Sequence, residues 1–281
     1  MKKIKLLIIS LFIIFSSSTL IADDFNDWKV KFKKRAIKEG VSKATVDKLI
    51  DRSKFLSDVI KYDRYQPEFY EDTKTYISKR TSSKKVKLGK IILNKENNII
   101  NKVSSEYKVD KNLLLALMGI ETNFGNYLGK MDIVSSLATL SYDQRRSEFF
   151  TKELITLLKL VDAKIIDPST LFGSWAGAFG NFQFMPSTIK NHAIDYNKDG
   201  SIDLKNIEDS FASAANYLSN LGWNDNTPCF YRINLNENIP DKYLNTSAKK
   251  IKHERKVKYL KNYIKNSSFL DKYDNLKAAI V

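Results

Sequence analysis

Cysteine is almost missing from this chain: Cys229 is the only one in 281 residues. An intramolecular disulfide and a cysteine-cluster zinc site are therefore excluded. Histidine is scarce too, with only His192 and His253. A Ser-His-Asp or Cys-His site could form only through His192, and nothing near it suggests one. His253 stands in a charge run. Apart from residues 6–15 there is no long apolar run, so no later stretch can span a membrane, which takes about 20 apolar residues. The chain has no phosphate-binding glycine loop and no internal repeat. It also lacks the basic–aromatic interleaving of single-strand nucleic-acid binders.

Acidic residues are in deficit. The formal charge is +15, and three of those charges are lysines within the first 22 residues. In a cytosolic protein this excess would suggest nucleic acid. In an exported one, an anionic envelope polymer or membrane surface is the better partner. Runs such as Lys84–Lys85 and 249–258 also fit a solvated basic surface. Export is what the N-terminus predicts. Lys2, Lys3 and Lys5 precede the apolar run LLIISLFIIF at 6–15, and SSSTLIA at 16–22 offers cleavage after Ala22. An uncleaved anchor is the alternative. No cysteine follows the apolar run, so a lipid-modified N-terminus is not expected.

The mature chain has room for one large domain or two small ones, and it reads as mainly helical (α+β at most). Phe25, Trp28, Phe32 and Ala36 recur at helical spacing before Gly40, and Ser42 caps a second helix through Ile50. Pro67 makes a turn or helix start of DRYQPEF at 63–69. The basic stretch 81–90 reads as an exposed connection, followed by a helix over 91–107. Asp110 is a good N-cap for the next helix. A helix over 146–159 should turn Phe149, Phe150, Leu154, Leu157 and Leu158 inward, and Pro168 closes the loop after it. Pro186 starts a helix through about Ile194. The last clear helix covers 207–221, with Ile207, Phe211, Ala214, Leu218 and Leu221 on one face. Residues 230–235 suggest a short strand.

Three segments carry chemistry. In LLLALMGIETNFG at 113–125, one acid, Glu121, ends an almost wholly apolar helix. Desolvation among Leu117, Met118 and Ile120, together with a place in the last turn, would raise its pKa. A carboxylic acid protonated near neutral pH is what donating to a glycosidic oxygen requires. A helix-terminal glutamate pointing into solvent is the plain alternative. In GSWAGAFGNFQFMP at 173–186, Ser174, Asn181 and Gln183 lie among aromatics and three glycines. Polar groups on an apolar lining suit an amido-sugar site. A glycine-rich loop packed under a helix, with Gln183 satisfied by backbone, is the reading this segment favours when taken alone. The third, DYNKDGSIDLKNIED at 195–209, begins as an EF-hand loop should. Asp195, Asn197 and Asp199 hold positions 1, 3 and 5, Gly200 makes the turn, and Ser201 offers its carbonyl at position 7. Asn206 replaces the usual glutamate at position 12, and Asp209 could serve if the loop is longer. A structural calcium ion is the expected cofactor, with no organic one.

In order, DRYQPEF, LLLALMGIETNFG, SLATLSYDQRRSEFF at 136–150, GSWAGAFGNFQFMPS, the calcium loop and AANYLSNLGW at 214–223 resemble the membrane-bound lytic murein transglycosylase B family. The resemblance implies a lysozyme-like core with a helical domain wrapped around it and an EF-hand-like loop. It implies cleavage of the β-1,4 bond between N-acetylmuramic acid and N-acetylglucosamine in peptidoglycan without added water. The family's catalytic acid matches Glu121, its serine and glutamine match Ser174 and Gln183, a site tyrosine matches Tyr217, and the last calcium ligand matches Asp209. The division expected is a signal at 1–22, an N-terminal helical region at 23–100, a catalytic core at 101–225 holding the loop 195–209, and a C-terminal region at 226–281. LKAAIV at 276–281 reads as the start of a strand, short of the family's usual extent. A periplasmic location and peptidoglycan glycan strands as the partner follow, with no nucleic acid. A water-using muramidase and an inert peptidoglycan-binding protein are the rival readings.

Overall fold

The computed structural model describes residues 24–65, 71–224, 227–246 and 251–281. The expected signal segment and Pro67 lie outside them. No helix among the described residues is long and apolar enough to cross a membrane. The chain forms two compact units. One joins 24–64 with 92–223; the other joins 65–91 with 224–281.

The larger unit is helical. The first helix, α1, covers 24–38. Its apolar residues sit at helical spacing, so Phe25 stacks on Trp28 at 5.3 Å and Trp28 on Phe32 at 5.1 Å. Gly40, at φ +96°, turns the chain. The second, α2 (Lys43–Ile50), is capped by Ser42, whose Oγ accepts from Thr45 N. Next comes α3 (Ser57–Arg64). Beyond the second unit's α4 (Thr73–Arg80) lies α5 (Ser83–Lys95). The expected exposed connection at 81–90 is thus mostly helix: lysine and leucine have high helix propensity, and a helix need not bury a face to form here. The chain breaks at Glu96 before α6 (Asn97–Tyr107), where one helix over 91–107 was expected.

The helix α7 (Lys111–Thr122) starts at Asp110, whose carboxylate accepts from Asn112 N at 2.7 Å and Leu113 N at 3.0 Å. In α8 (Ile133–Tyr142), residues 133–141 are all buried. This is the central helix, packed on α2, α3 and α9 (Ser147–Asp162). Phe149 does not face inward as expected but is exposed, while its neighbour Phe150 is buried. Next come α10 (Pro186–His192) and α11 (Ile207–Asn220), the latter against α6, α7 and α10. Leu221 lies beyond the helix end and is exposed. One core runs from Phe25 to Ala215 and is shared by the N-terminal helices and the region from residue 101 onward. In this unit β1 (Met131–Asp132) and β2 (Phe172–Gly173) pair antiparallel.

The smaller unit has its own cluster of Val257, Leu260, Ile264, Leu270 and Ile280. In it β3 (Arg255–Lys256), followed by the short α12 (Val257–Leu260), pairs antiparallel with β4 (Lys277–Ala278), so the strand expected in 276–281 is present. The strand expected at 230–235 is not: only Leu235 is bridged, to Ile264. Asparagines at 234, 236 and 238 and Pro240 break any ladder there.

Candidate active site

The end of α7 is an unusual turn. Asn123, Phe124 and Gly125 all have positive φ (49°, 60° and 81°), and two of the three carry side chains. Left-handed backbone in non-glycine residues is strained and persists only where its surroundings enforce it. Two enforcers are visible. The Phe124 ring folds back onto Gly119, where a Cβ would stand 2.6 Å from Cζ. Thr122 Oγ accepts from Gly125 N at 3.0 Å and donates to Asn181 O at 2.8 Å.

Glu121 sits immediately before this turn, in the last turn of α7, where unpaired carbonyls disfavour negative charge. The expected burial is not found. The helix buries Leu114, Leu115, Met118, Gly119 and Thr122, whereas Glu121 lies on its open side with Ile120. Leu117 and Met118 lie one turn back on the same side of the helix, but Ile120 and Glu121 are both exposed, so these apolar neighbours do not enclose the acid.

Four residues on, the chain enters a cleft of about 640 Å³. Residues 125–131 form one wall, Gly173, Ser174, Trp175 and Gln183 the other, and Tyr62 contributes from α3. The walls touch through glycines: a Cβ on Gly129 would stand 2.0 Å from Gly173 O. Ser174 Oγ accepts from Ala178 N, which leaves its hydroxyl hydrogen to donate. Gln183, at φ +50°, donates Nε2 to Gly180 O (3.0 Å) and Leu128 O (3.3 Å), bridging the two walls. Its Nε2 is satisfied by backbone, as one sequence reading expected, and the residue also lines the cleft. Among the described residues no carboxylate lines this cleft, Glu121 included. Asp132 caps α8 through Ser135 N at 2.7 Å.

Two expected site residues fall elsewhere. Asn181 is buried, and its Nδ2 donates to Lys205 O and Ser210 Oγ at 3.0 Å each, so this amide faces protein rather than ligand. Tyr217 is not among the residues lining the cleft; its ring packs on Phe184 at 5.6 Å and His192 at 5.1 Å. Conversely, sequence reading missed Tyr62, Tyr127 and Trp175 as cleft residues. Next to Tyr62 in the chain is Asp63, a buried carboxylate bound by Arg64 Nη1 at 2.7 Å, Arg145 Nε at 2.6 Å and Arg146. Burial alone would push Asp63 up, but the hydrogen bonds from Arg145 and Arg146 outweigh it and hold the carboxyl below its ordinary range.

The loop 195–209 closes on its own amides. Asp195 accepts from Asp199 N and Gly200 N, and Asp199 from Ser201 N and Oγ. Hydrogen bonds from Asn197 and then Ser201 hold the Asp199 carboxyl below its usual range. Asp209 is fully buried, accepting from Tyr196 N at 2.8 Å, Asn197 N at 3.3 Å and Asp203 N at 3.0 Å. Among the described residues no three acidic, histidine or cysteine side chains gather as a metal set. The donors are nevertheless all oxygen and in EF-hand order about Gly200, which fits a hard cation in chemistry.

A helical, lysozyme-like fold with an open cleft walled by a glycine-rich loop, four residues beyond a helix-terminal acid, defines the class. The transglycosylase SLT domain family matches residues 24–277, and the chain belongs to it. It is similar to the membrane-bound lytic murein transglycosylase B of Escherichia coli (strain K12), 38% identical over 149 residues, which is 53% of this chain and 41% of the relative. The chain thus spans about two fifths of that curated relative. Among solved structures it resembles Pseudomonas aeruginosa SltB3 in complex with NAG-NAM-pentapeptide (TM-score 0.80, 28% identity, 92% of this chain and 69% of that one). It also resembles the Escherichia coli lytic transglycosylase Slt35 in complex with calcium (TM-score 0.74, 26% identity, 89% and 78%).

Proposed function

We propose that this chain is a peptidoglycan lytic transglycosylase, acting in the periplasm on the β-1,4 bond between N-acetylmuramic acid and N-acetylglucosamine. The observation that carries the reading is one helix-terminal acid, Glu121, four residues before a cleft walled by Ser174, Trp175 and Gln183, in which the described lining residues include no carboxylate. A water-using glycosidase of the usual kind needs two. Family membership supports it, as do a relative named as a lytic murein transglycosylase and a similar structure holding NAG-NAM-pentapeptide.

Protonated Glu121 donates to the glycosidic oxygen, and the C1–O bond breaks through an oxocarbenium-like state. The substrate's own acetamido group stabilises the positive charge. Glu121, now a carboxylate, takes the proton of the muramic C6 hydroxyl. That oxygen bonds to C1, giving the 1,6-anhydro product and restoring the acid. Ser174 Oγ and Gln183 Oε1 hold the acetamido and neighbouring groups, while Tyr217 backs the glycine-rich wall through Phe184. Calcium bound through Asp195, Asn197, Asp199, Ser201 and Asp209 would neutralise the loop's acids and serve structure rather than chemistry.

The test is Glu121→Gln. The variant should still bind purified sacculi and release muropeptides at least about 100-fold more slowly, the low end for loss of general acid–base catalysis. Undiminished release would refute the assignment. Binding without release by the unaltered protein would instead identify a glycan-binding protein.

A further inference from the structure

We infer that Asn181 is a positioning residue, coupling the 195–209 loop to the strained turn that follows Glu121. The inference rests on the lytic reading above.

Asn181 is bonded on every side. Its backbone N donates to Leu204 O at 2.8 Å, and Nδ2 donates to Lys205 O and Ser210 Oγ. Its carbonyl accepts from Thr122 Oγ, and Oδ1 lies 3.1 Å from where a Cβ on Gly125 would stand. The loop is therefore bolted to one face of Asn181 and the end of α7 to the other. Packing reinforces the contact: a Cβ on the preceding Gly180 would meet Leu204 Cβ at 2.4 Å.

The path continues in both directions. Ser210 follows Asp209, whose carboxylate gathers the amides of residues 196, 197 and 203. Thr122 follows Glu121, and its Oγ holds Gly125 N in the left-handed turn. Asp209, Ser210, Asn181 and Thr122 are all buried. A satisfied polar network of this kind fixes geometry tightly, and losing one member leaves partners unpaired. Gly125, at one end of this path, and Gln183, two residues beyond Asn181, both line the cleft. The loop thus sets where Glu121 and the glycine-rich wall stand by way of one residue, whose side chain holds the loop and whose carbonyl holds the end of α7. This gives Asn181 a role other than substrate contact.

Thr122 and Ser210 both bond to Asn181, which makes a mutant cycle the test. Thr122→Val, Ser210→Ala and their double would be made in the natural background and in Asn181→Leu, with kcat, KM and the urea midpoint measured for each. Each single change should lower kcat about tenfold, with KM within twofold. The double should lose little more than either alone. In Asn181→Leu, Ser210→Ala should lower kcat no further, whereas Thr122→Val, whose bond is to the Asn181 carbonyl, should still lower it. Thr122→Ser, which keeps the hydroxyl, should restore near-natural kcat. Multiplying losses of about 100-fold in the double, or kcat losses that merely track the folded fraction, would overturn the inference. If the unaltered chain has no activity, the functional reading fails. The inference is then decided by the urea midpoints. Their shifts must be less than additive in the natural background and additive in Asn181→Leu; additive shifts in both refute it.

Discussion

Replacing Gly129 by alanine should open the cleft. Gly129 has φ +86°, and an added Cβ would lie 2.0 Å from Gly173 O and 2.7 Å from Ser174 N, both backbone atoms. Two costs follow. An L side chain in left-handed backbone is unfavourable by about 1–2 kcal/mol. Relieving the clash means pulling apart the β1–β2 pair, where Met131 faces Gly173, at an overpacking cost of about 1–3 kcal/mol. The sum is roughly 2–5 kcal/mol. Gly40 provides the control: its φ is +96°, yet nothing lies within 4 Å of an added Cβ. Gly40→Ala should therefore show only the first cost, reduced by about 0.4–1 kcal/mol because alanine also restricts the unfolded chain. The difference between the two variants isolates the contact. Urea unfolding followed by circular dichroism measures it, and muropeptide release measures its consequence. A shift of about 1 Å in Ser174 should slow release by roughly 100-fold. If Gly129→Ala unfolds within about 0.5 kcal/mol of Gly40→Ala and keeps its activity, the reasoning about the two touching walls is wrong.

Other perturbations have equally definite outcomes. Asp63→Asn removes charged hydrogen bonds to Arg64, Arg145 and Arg146 and should cost about 2 kcal/mol, because the freed guanidinium groups can still reach water. Since the folded Asp63 titrates below the unfolded value near 3.9, its stabilisation is present above that pH and is lost as pH falls through the folded value. Melting curves between pH 3 and pH 7 should accordingly show a flatter acid limb for the variant. Calcium at about 100 times its Kd should add about 2.7 kcal/mol to the stability of the natural chain and nothing to Asp195→Ala; an equal calcium shift in both would exclude Asp195 as a ligand. Arg35→Ala breaks a two-bond pair with Glu148 between exposed side chains and should cost under about 1 kcal/mol, less still in high salt.

Elements with strong local signals were legible in the sequence. Ser42 and Asp110 cap the helices they were expected to cap, Pro186 opens α10, and Phe25, Trp28 and Phe32 stack along α1. Where tertiary packing decides, reading failed. In α8 the buried run has no polar face, hence no helical period to detect. The lysine-rich α5 looks like a linker because it buries only Gly89. Glu121 has apolar neighbours in sequence, but desolvation depends on the opposing surface, and α7 turns that residue outward. The glycine-rich loop was recognised as a site wall. Which of its amides faces the cleft was not, because Asn181 and Gln183 are separated by one residue and the left-handed φ of Gln183 re-aims the chain between them. Tyr62 reaches the cleft from more than 60 residues away, and no local pattern announces that.

The central claim is that one acid, Glu121, cleaves peptidoglycan without water. Soluble products from purified sacculi, weighed by mass spectrometry, test it most directly, with Glu121→Gln alongside. The account predicts muropeptides one water lighter than the hydrolysis products, absent with the variant. Products carrying the added water, or light products that persist in Glu121→Gln, would contradict it.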